Sequence, residues 1–317
     1  MKTVLRLIAS VVLLGIAVYL LDWQSLSRIL VTLNPVVFCV AVLIAACLYL
    51  PMAYRWFMLV RAARPGVFRW HLQYFCMGTF LNTFTPANIG GDVYRFIMLR
   101  QNGRRYFVLL ALFRERLLGL YSYLLGYLIF WFCYLLTGGQ RSLVLDLLAG
   151  AIIVALMGLW GLPVLMGRIR RLGWFAGRRN IKIVIDACWR ASRFKSVGEF
   201  VKLFFLSMVA LGIWYVAILY LAYTMDIKIA PAALGIVVIL AELIRLLPVS
   251  VQGIGMREGA YAYVFTLLGY SGEAGFALAA VGYLALTVAI LLMGVVGAVL
   301  KQTGIGLLPK SGLSKVT

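Results

Sequence analysis

Four clusters of ionisable residues interrupt otherwise apolar sequence: Asp92 with Arg95, the run Arg114–Glu115–Arg116, Glu242 with Arg245, and Arg257 with Glu258. Charge at bilayer depth is costly, and residues kept there mark a functional site by default. Asp92/Arg95 and Glu242/Arg245 are spaced i,i+3, so each pair shares a helix face and can neutralise itself. Such pairs can brace the structure as salt bridges while their arginines still bind a ligand. Arginine suits a phosphate, because its planar fork donates two hydrogen bonds at once. The chemistry implied is anion binding rather than catalysis. The chain has ten acidic residues, none in a D-x-x-D or D-D arrangement, and one histidine, His71. Its five cysteines show no C-x-x-C spacing. No catalytic residue, metal site or cofactor is expected, and the chain is expected not to be an enzyme.

Two Gly/Pro motifs carry these clusters. Pro86-Ala-Asn-Ile-Gly-Gly-Asp-Val-Tyr-Arg95 and Pro248-Val-Ser-Val-Gln-Gly-Ile-Gly-Met-Arg257 both fit P-x4-G-x3-R. Proline removes a donor and glycine tolerates unusual dihedrals, so each motif breaks a helix. Inside a bilayer, broken backbone survives only against protein or water. The half-helix after each break is expected to offer free N–H groups to an anion. The substrate-binding candidates are therefore Asn88, Gly90, Gly91, Asp92, Arg95, Glu115 and Arg116, with Glu242, Arg245, Gln252, Gly253, Gly255, Arg257 and Glu258. Arg55 reads as an interfacial anchor. Arg114 and Arg116 are near enough to the start of a span to snorkel toward the cytoplasmic face. The aromatic run Tyr121–Tyr134 reads as packing and lipid-facing surface.

The elements that position these residues follow from composition. Of 317 residues, 64% are hydrophobic and 13% charged, which excludes an ordinary soluble enzyme and leaves an all-α integral membrane protein. Apolar segments run over Val4–Leu21, Val36–Val60, Phe107–Leu136, Leu143–Met166, Phe200–Thr224 and Ala274–Leu300. Three shorter ones, Leu72–Phe84, Pro231–Leu247 and Ala260–Leu268, are poor candidates for full crossings. Met1–Leu21 has a basic start and no small-residue cleavage site, and is expected to be a retained first span. The net charge of +20 sits mainly in loop 167–199, in 61–69, in 95–105 and at the two ends, which are expected to face the cytoplasm. Nucleic acid is not an expected partner. These orientations agree only if 72–100 and 231–270 are re-entrant helical hairpins. Six transmembrane helices plus two re-entrant hairpins then form two inverted-topology repeats. The first repeat is residues 1–136, the second 137–300, and 301–317 is a cytoplasmic tail.

The segment Asn82–Arg95 (N-T-F-T-P-A-N-I-G-G-D-V-Y-R), the pair Glu115–Arg116 and the segment Leu247–Glu258 (L-P-V-S-V-Q-G-I-G-M-R-E) resemble the lysylphosphatidylglycerol synthase transmembrane, or flippase-like, family. The resemblance covers nearly the whole chain. It implies a bacterial or archaeal plasma (inner) membrane protein that moves a lipid between leaflets, often one with an aminoacylated or glycosylated phosphate head group. Gln252 departs from the family's pattern where a first glycine of a pair is expected. The soluble aminoacyl-transferase domain of the fused synthases is not seen before Thr317, so lysyl transfer is not expected. The expected function is a lipid flippase working by alternating access. The partner is a membrane lipid with an anionic phosphate head group, with a homodimer or a lipid-synthesising enzyme as further partners. An intramembrane lipid-modifying enzyme, or a non-transporting subunit of one, remains the alternative.

Overall fold

The computed structural model describes residues 34–61, 66–83, 85, 89–99, 105–171, 189–190, 193–247 and 253–302. All secondary structure among these residues is helical. Five segments are long and apolar enough to cross a membrane: Pro35–Val60, Phe107–Leu136, Leu143–Ile169, Val197–Thr224 and Gly272–Gln302. They match five of the six expected spans. The sixth, Val4–Leu21, lies outside the described residues, as does most of the basic loop.

The span Pro35–Val60 is two helices, α1 (Pro35–Cys47) and α2 (Tyr49–Val60). Pro51 accounts for the break at Leu48, because it has no N–H for the Cys47 carbonyl and its ring crowds that oxygen. Asn34 starts α1 by accepting from the Val36 N–H at 2.8 Å. Next come α3 (Phe68–Asn82) and α4 (Gly90–Leu99), two short helices packed on each other, and then the long α5 (Arg105–Leu136). In the second half, α6 (Leu143–Arg171) and α7 (Val197–Thr224) are long, α8 (Pro231–Arg245) and α9 (Met256–Leu267) form a second short packed pair, and α10 (Gly272–Gln302) closes the order. Ser196 caps α7 by accepting from the Glu199 N–H at 3.1 Å.

Each short pair rests on the last long helix of the other half: α3 lies on α10, and α8 lies on α5. Glycine makes both approaches close. Gly294 and Gly297 of α10 face Phe80 and Met77 of α3, and Gly235 of α8 lies under the Phe130 ring of α5. Small residues let helices approach where lipid offers no hydrophobic drive to associate. The pair α1–α2 packs against α7, and α1 also against α10. Helix α6 packs on α5 alone among the described helices, tied by Trp131 Nε1 donating to Asp146 (3.0 Å) and Tyr127 OH donating to the Leu145 carbonyl (3.0 Å).

Polarity runs opposite to that of a soluble domain. Large apolar side chains such as Leu147, Val154, Met157 and Trp160 stand exposed on the outside. Arg55, Arg95, Glu115, Glu242, Arg257 and Glu258 are buried inside. That distribution suits a surround of hydrocarbon and an interior that holds charge only where it is compensated.

Candidate functional site: a charged cavity between two helix pairs

The first group of charges is built at the start of α4. The Gly91 N–H donates to Asn82 Oδ1 at 2.7 Å, and the Gly90 N–H donates to Thr85 Oγ1 at 2.8 Å. Only glycine fits at 91, where a Cβ would stand 1.9 Å from the Gly78 carbonyl oxygen. This approach lays the stem of Arg95, one turn later, across Gly78. Arg95 is 5% exposed. Its guanidinium donates to Glu115 at 2.8 Å and to Asp92 at 2.5 Å, and it lies over the Trp56 ring with its carbon 4.2 Å from the centroid. The second Asp92 oxygen accepts from Arg116 at 2.7 Å. The second Glu115 oxygen is 3.6 Å from Arg55, which also donates to Ser207 Oγ at 2.5 Å. A continuous polar chain thus runs from Arg116 to Ser207 across α5, α4, α2 and α7.

The second group centres on Glu242 of α8. Its carboxylate is paired with Arg245 at 2.8 Å and accepts from Tyr283 OH at 3.2 Å and Tyr123 OH at 3.4 Å. Arg245 donates to Tyr123 OH at 3.3 Å. Arg257, 3% exposed, begins α9 and stacks on Tyr283 with its carbon 3.8 Å from the ring centroid. Its closest Glu242 oxygen is 3.6 Å away, an ion pair but beyond good hydrogen-bond reach. Gly253 and Gly255 both have φ of +80°, which an L side chain rarely adopts, and so turn the chain into α9.

Both groups line one cavity of about 220 Å³. Arg55, Arg95, Arg116, Arg245 and Arg257 face it together with Asp92, Glu115 and Glu242. Helix α5 joins the two groups, since Glu115 and Tyr123 are two turns apart on one face. Between them Gly119 lines the cavity, and a Cβ there would meet nothing within 4 Å.

The structure therefore brings together Asp92, Arg95, Glu115, Arg116, Glu242, Arg245 and Arg257. Asn88 and Gln252 lie outside the described residues, as do Pro86 and Pro248. Gly90, Gly91, Gly253 and Gly255 position the elbows without lining the cavity. Three expectations need correction. Glu258 does not face the cavity arginines; it accepts from the Gly255 N–H at 2.8 Å and caps α9. Among the described elbow residues, the N–H groups of Gly91, Gly90 and Gly255 are not free for an anion, because Asn82, Thr85 and Glu258 occupy them. Arg55 is not an interfacial anchor but a buried cavity residue, since α5 supplies Glu115 and α7 supplies Ser207 to pair it. Arg114 turns the other way, donating to the carbonyls of Arg190 and Arg193, as a residue reaching the basic loop should.

Sequence reasoning missed Tyr123, Ser207 and Tyr283 as site residues. Polar side chains within apolar spans were the available signal, but tyrosine in an aromatic run also reads as packing.

Fold and site define a multi-pass, all-helical membrane protein with a charged cavity held between two short helix pairs. The chain belongs to the lysylphosphatidylglycerol synthase transmembrane-region family, whose model matches residues 3–294. No curated protein and no solved structure matches it.

Proposed function

We propose that the protein is a lipid flippase. It moves a lipid with a phosphate-containing head group between leaflets, as the family's association with lipid processes suggests. The observation that carries this reading is the single cavity faced by arginines of both helix pairs, Arg95 from one and Arg257 from the other. The head group enters the cavity while the tails stay in the bilayer. Arginine forks hold the phosphate, and the carboxylates keep the forks aimed.

The two halves act as inverted repeats, six spans with α3–α4 and α8–α9 as re-entrant hairpins and both termini in the cytoplasm. Support comes from reciprocal packing. α3 on α10 mirrors α8 on α5, α3 on α4 mirrors α8 on α9, and both central motifs place an arginine nine residues after a proline. Rocking one half on the other would open the cavity to each leaflet in turn.

An enzyme acting on a lipid phosphate would need a carboxylate available as base. Here Asp92, Glu115 and Glu242 are each ion-paired with arginine, which favours transport. A fluorescent-lipid assay in proteoliposomes tests the proposal. Transport predicts lipid movement that falls in Arg257→Gln. A change in lipid mass instead would indicate an enzyme, and neither effect would indicate a non-transporting subunit. Cysteine labelling at Thr137 and Lys228 from outside the cell, with protection from inside, tests the orientation.

A further inference from the structure

We infer that Tyr283 is a positioning residue for head-group binding. Its ring seats the Arg257 guanidinium and its hydroxyl holds Glu242, so the Arg257 fork stays open to a phosphate instead of closing on its own carboxylate. This rests on the transport reading above and names the residue that keeps the site ready for its ligand.

The first ground is how Glu242 is held. One oxygen, Oε2, is paired with Arg245 at 2.8 Å and accepts from Tyr123 OH at 3.4 Å. The other, Oε1, accepts from Tyr283 OH at 3.2 Å, and this is the oxygen that Arg257 approaches only to 3.6 Å. The carboxylate is thus fixed from α8, α5 and α10 at once, and Arg257 is not one of the groups that fix it. With the hydroxyl removed, Oε1 loses the hydrogen bond it has among the described residues. A shift of about 0.7 Å would then bring Arg257 to an ordinary N–H···O length.

The second ground is where Arg257 lies. Its guanidinium carbon stands 3.8 Å from the Tyr283 ring centroid, a close cation–π seat. Its side chain is 3% exposed, and its Nε–H is buried with no hydrogen-bond partner among the described residues. A buried donor in that state is costly, and a phosphate brought into the cavity that Arg257 lines offers it strong acceptors. Tyr283 itself does not line the cavity, so it acts through Arg257 and Glu242 and not on the ligand.

The other half of the molecule supplies the comparison. Arg95 ends the matching motif and also lies over an aromatic ring, that of Trp56, with its carbon 4.2 Å from the centroid. There the polar atom of the ring does not hold a carboxylate: Trp56 Nε1 is buried with no hydrogen-bond partner among the described residues. Arg95 closes on its carboxylates, donating to Glu115 at 2.8 Å and to Asp92 at 2.5 Å. An aromatic seat alone therefore does not keep an arginine off its partners. The hydroxyl that reaches Glu242 is the contact that sets the Arg257 seat apart.

The test measures lipid binding and lipid-free melting on the purified full-length chain in neutral detergent. Dioleoylphosphatidylglycerol is the probe; dioleoylglycerol shares its tails and lacks phosphate, and inorganic phosphate lacks the tails. Tyr283→Phe keeps the ring and removes the hydroxyl. It should weaken dioleoylphosphatidylglycerol binding about tenfold while leaving the lipid-free melting temperature unchanged or raised, because Arg257 closes on Glu242. Tyr127→Phe removes a buried hydroxyl that bonds the Leu145 carbonyl outside the cavity lining. It should do the opposite, lowering the melting temperature and leaving binding unchanged. The Tyr283→Phe effect should also vanish in an Arg257→Gln background, where no fork remains to be positioned, whereas independent effects would multiply. Unchanged binding in Tyr283→Phe, or a further tenfold loss on top of Arg257→Gln, overturns the positioning role and leaves transport standing. A large fall in the melting temperature of Tyr283→Phe, or its failure to fold, also overturns that role, since the hydroxyl is then a brace of the fold. Inorganic phosphate binding as tightly as dioleoylphosphatidylglycerol overturns the lipid assignment. Wild type binding dioleoylphosphatidylglycerol no more tightly than dioleoylglycerol overturns the transport reading itself.

Discussion

Arg95 and Arg257 end matching motifs, yet their surroundings differ. Arg95 has both terminal nitrogens engaged, with Glu115 and Asp92 at hydrogen-bond distance on two sides and Trp56 beneath. Arg257 has a tyrosine ring beneath and one carboxylate at the edge of ion-pair range. Around Arg95, two carboxylates serve three arginines across three helices. Around Arg257, one carboxylate is shared by an arginine three residues away, two tyrosines and Arg257 itself. The difference separates two uses of buried charge. A network whose members neutralise one another ties helices together. An arginine whose carboxylate lies beyond good hydrogen-bond reach in the same cavity has more of its fork still to give.

The largest effect should fall on the more fully paired side. Arg95→Gln leaves Asp92 only Arg116 and Glu115 only Arg55 at 3.6 Å, and loss of one partner of a buried pair costs about 3–5 kcal/mol. Denaturation of the purified variant should show it, with transport lost because the fold is weakened. An unchanged melting profile would mean that Arg95 is not a brace. Gly91→Ala should follow. A methyl group 1.9 Å from the Gly78 oxygen forces α3 and α4 apart, and overpacking of this kind costs about 1–3 kcal/mol. Gly119→Ala, in the same cavity but with open space for its Cβ, should leave stability unaltered and so controls for the clash.

Arg257→Gln should reverse the pattern. Transport or lipid binding should drop about tenfold, roughly 1.4 kcal/mol, with stability close to wild type because Glu242 keeps Arg245, Tyr283 and Tyr123. Equal loss of stability in Arg95→Gln and Arg257→Gln would erase the distinction between the two sides. The smallest effect should be Ser207→Ala. It removes the 2.5 Å acceptor of Arg55 and should cost about 1 kcal/mol or less, since Glu115 still faces that arginine. A denaturation midpoint below that of Gly91→Ala would place Arg55 among the principal braces.

Much of the cavity was legible in the sequence. Spacing of i,i+3 paired Asp92 with Arg95 and Glu242 with Arg245, because one helix turn brings such side chains together whatever surrounds them. The motif prolines and glycines marked the two elbows. Arg55 was misread because a lone arginine near the end of an apolar run looks like an anchor until a partner helix supplies Glu115 and Ser207. Tyr123 was hidden in the aromatic run, and its place between Glu242 and Arg245 depends on how α5 packs against α8. Glu258 was misread for a subtler reason: three residues into a helix, a glutamate can serve either a ligand or its own backbone, and here it bonds the Gly255 N–H.

Sequence by itself determined what is local or additive: apolar lengths that suit a membrane, i,i+3 ion pairs, breaks at proline and glycine, and a family membership spread over residues 3–294. Tertiary structure alone decided which buried charges meet across helices, that both groups share one cavity, and that the surplus there is positive. Electrostatic balance in a low-dielectric interior depends on distances of a few ångströms between side chains far apart in the chain, and only the packing of the helices sets those distances.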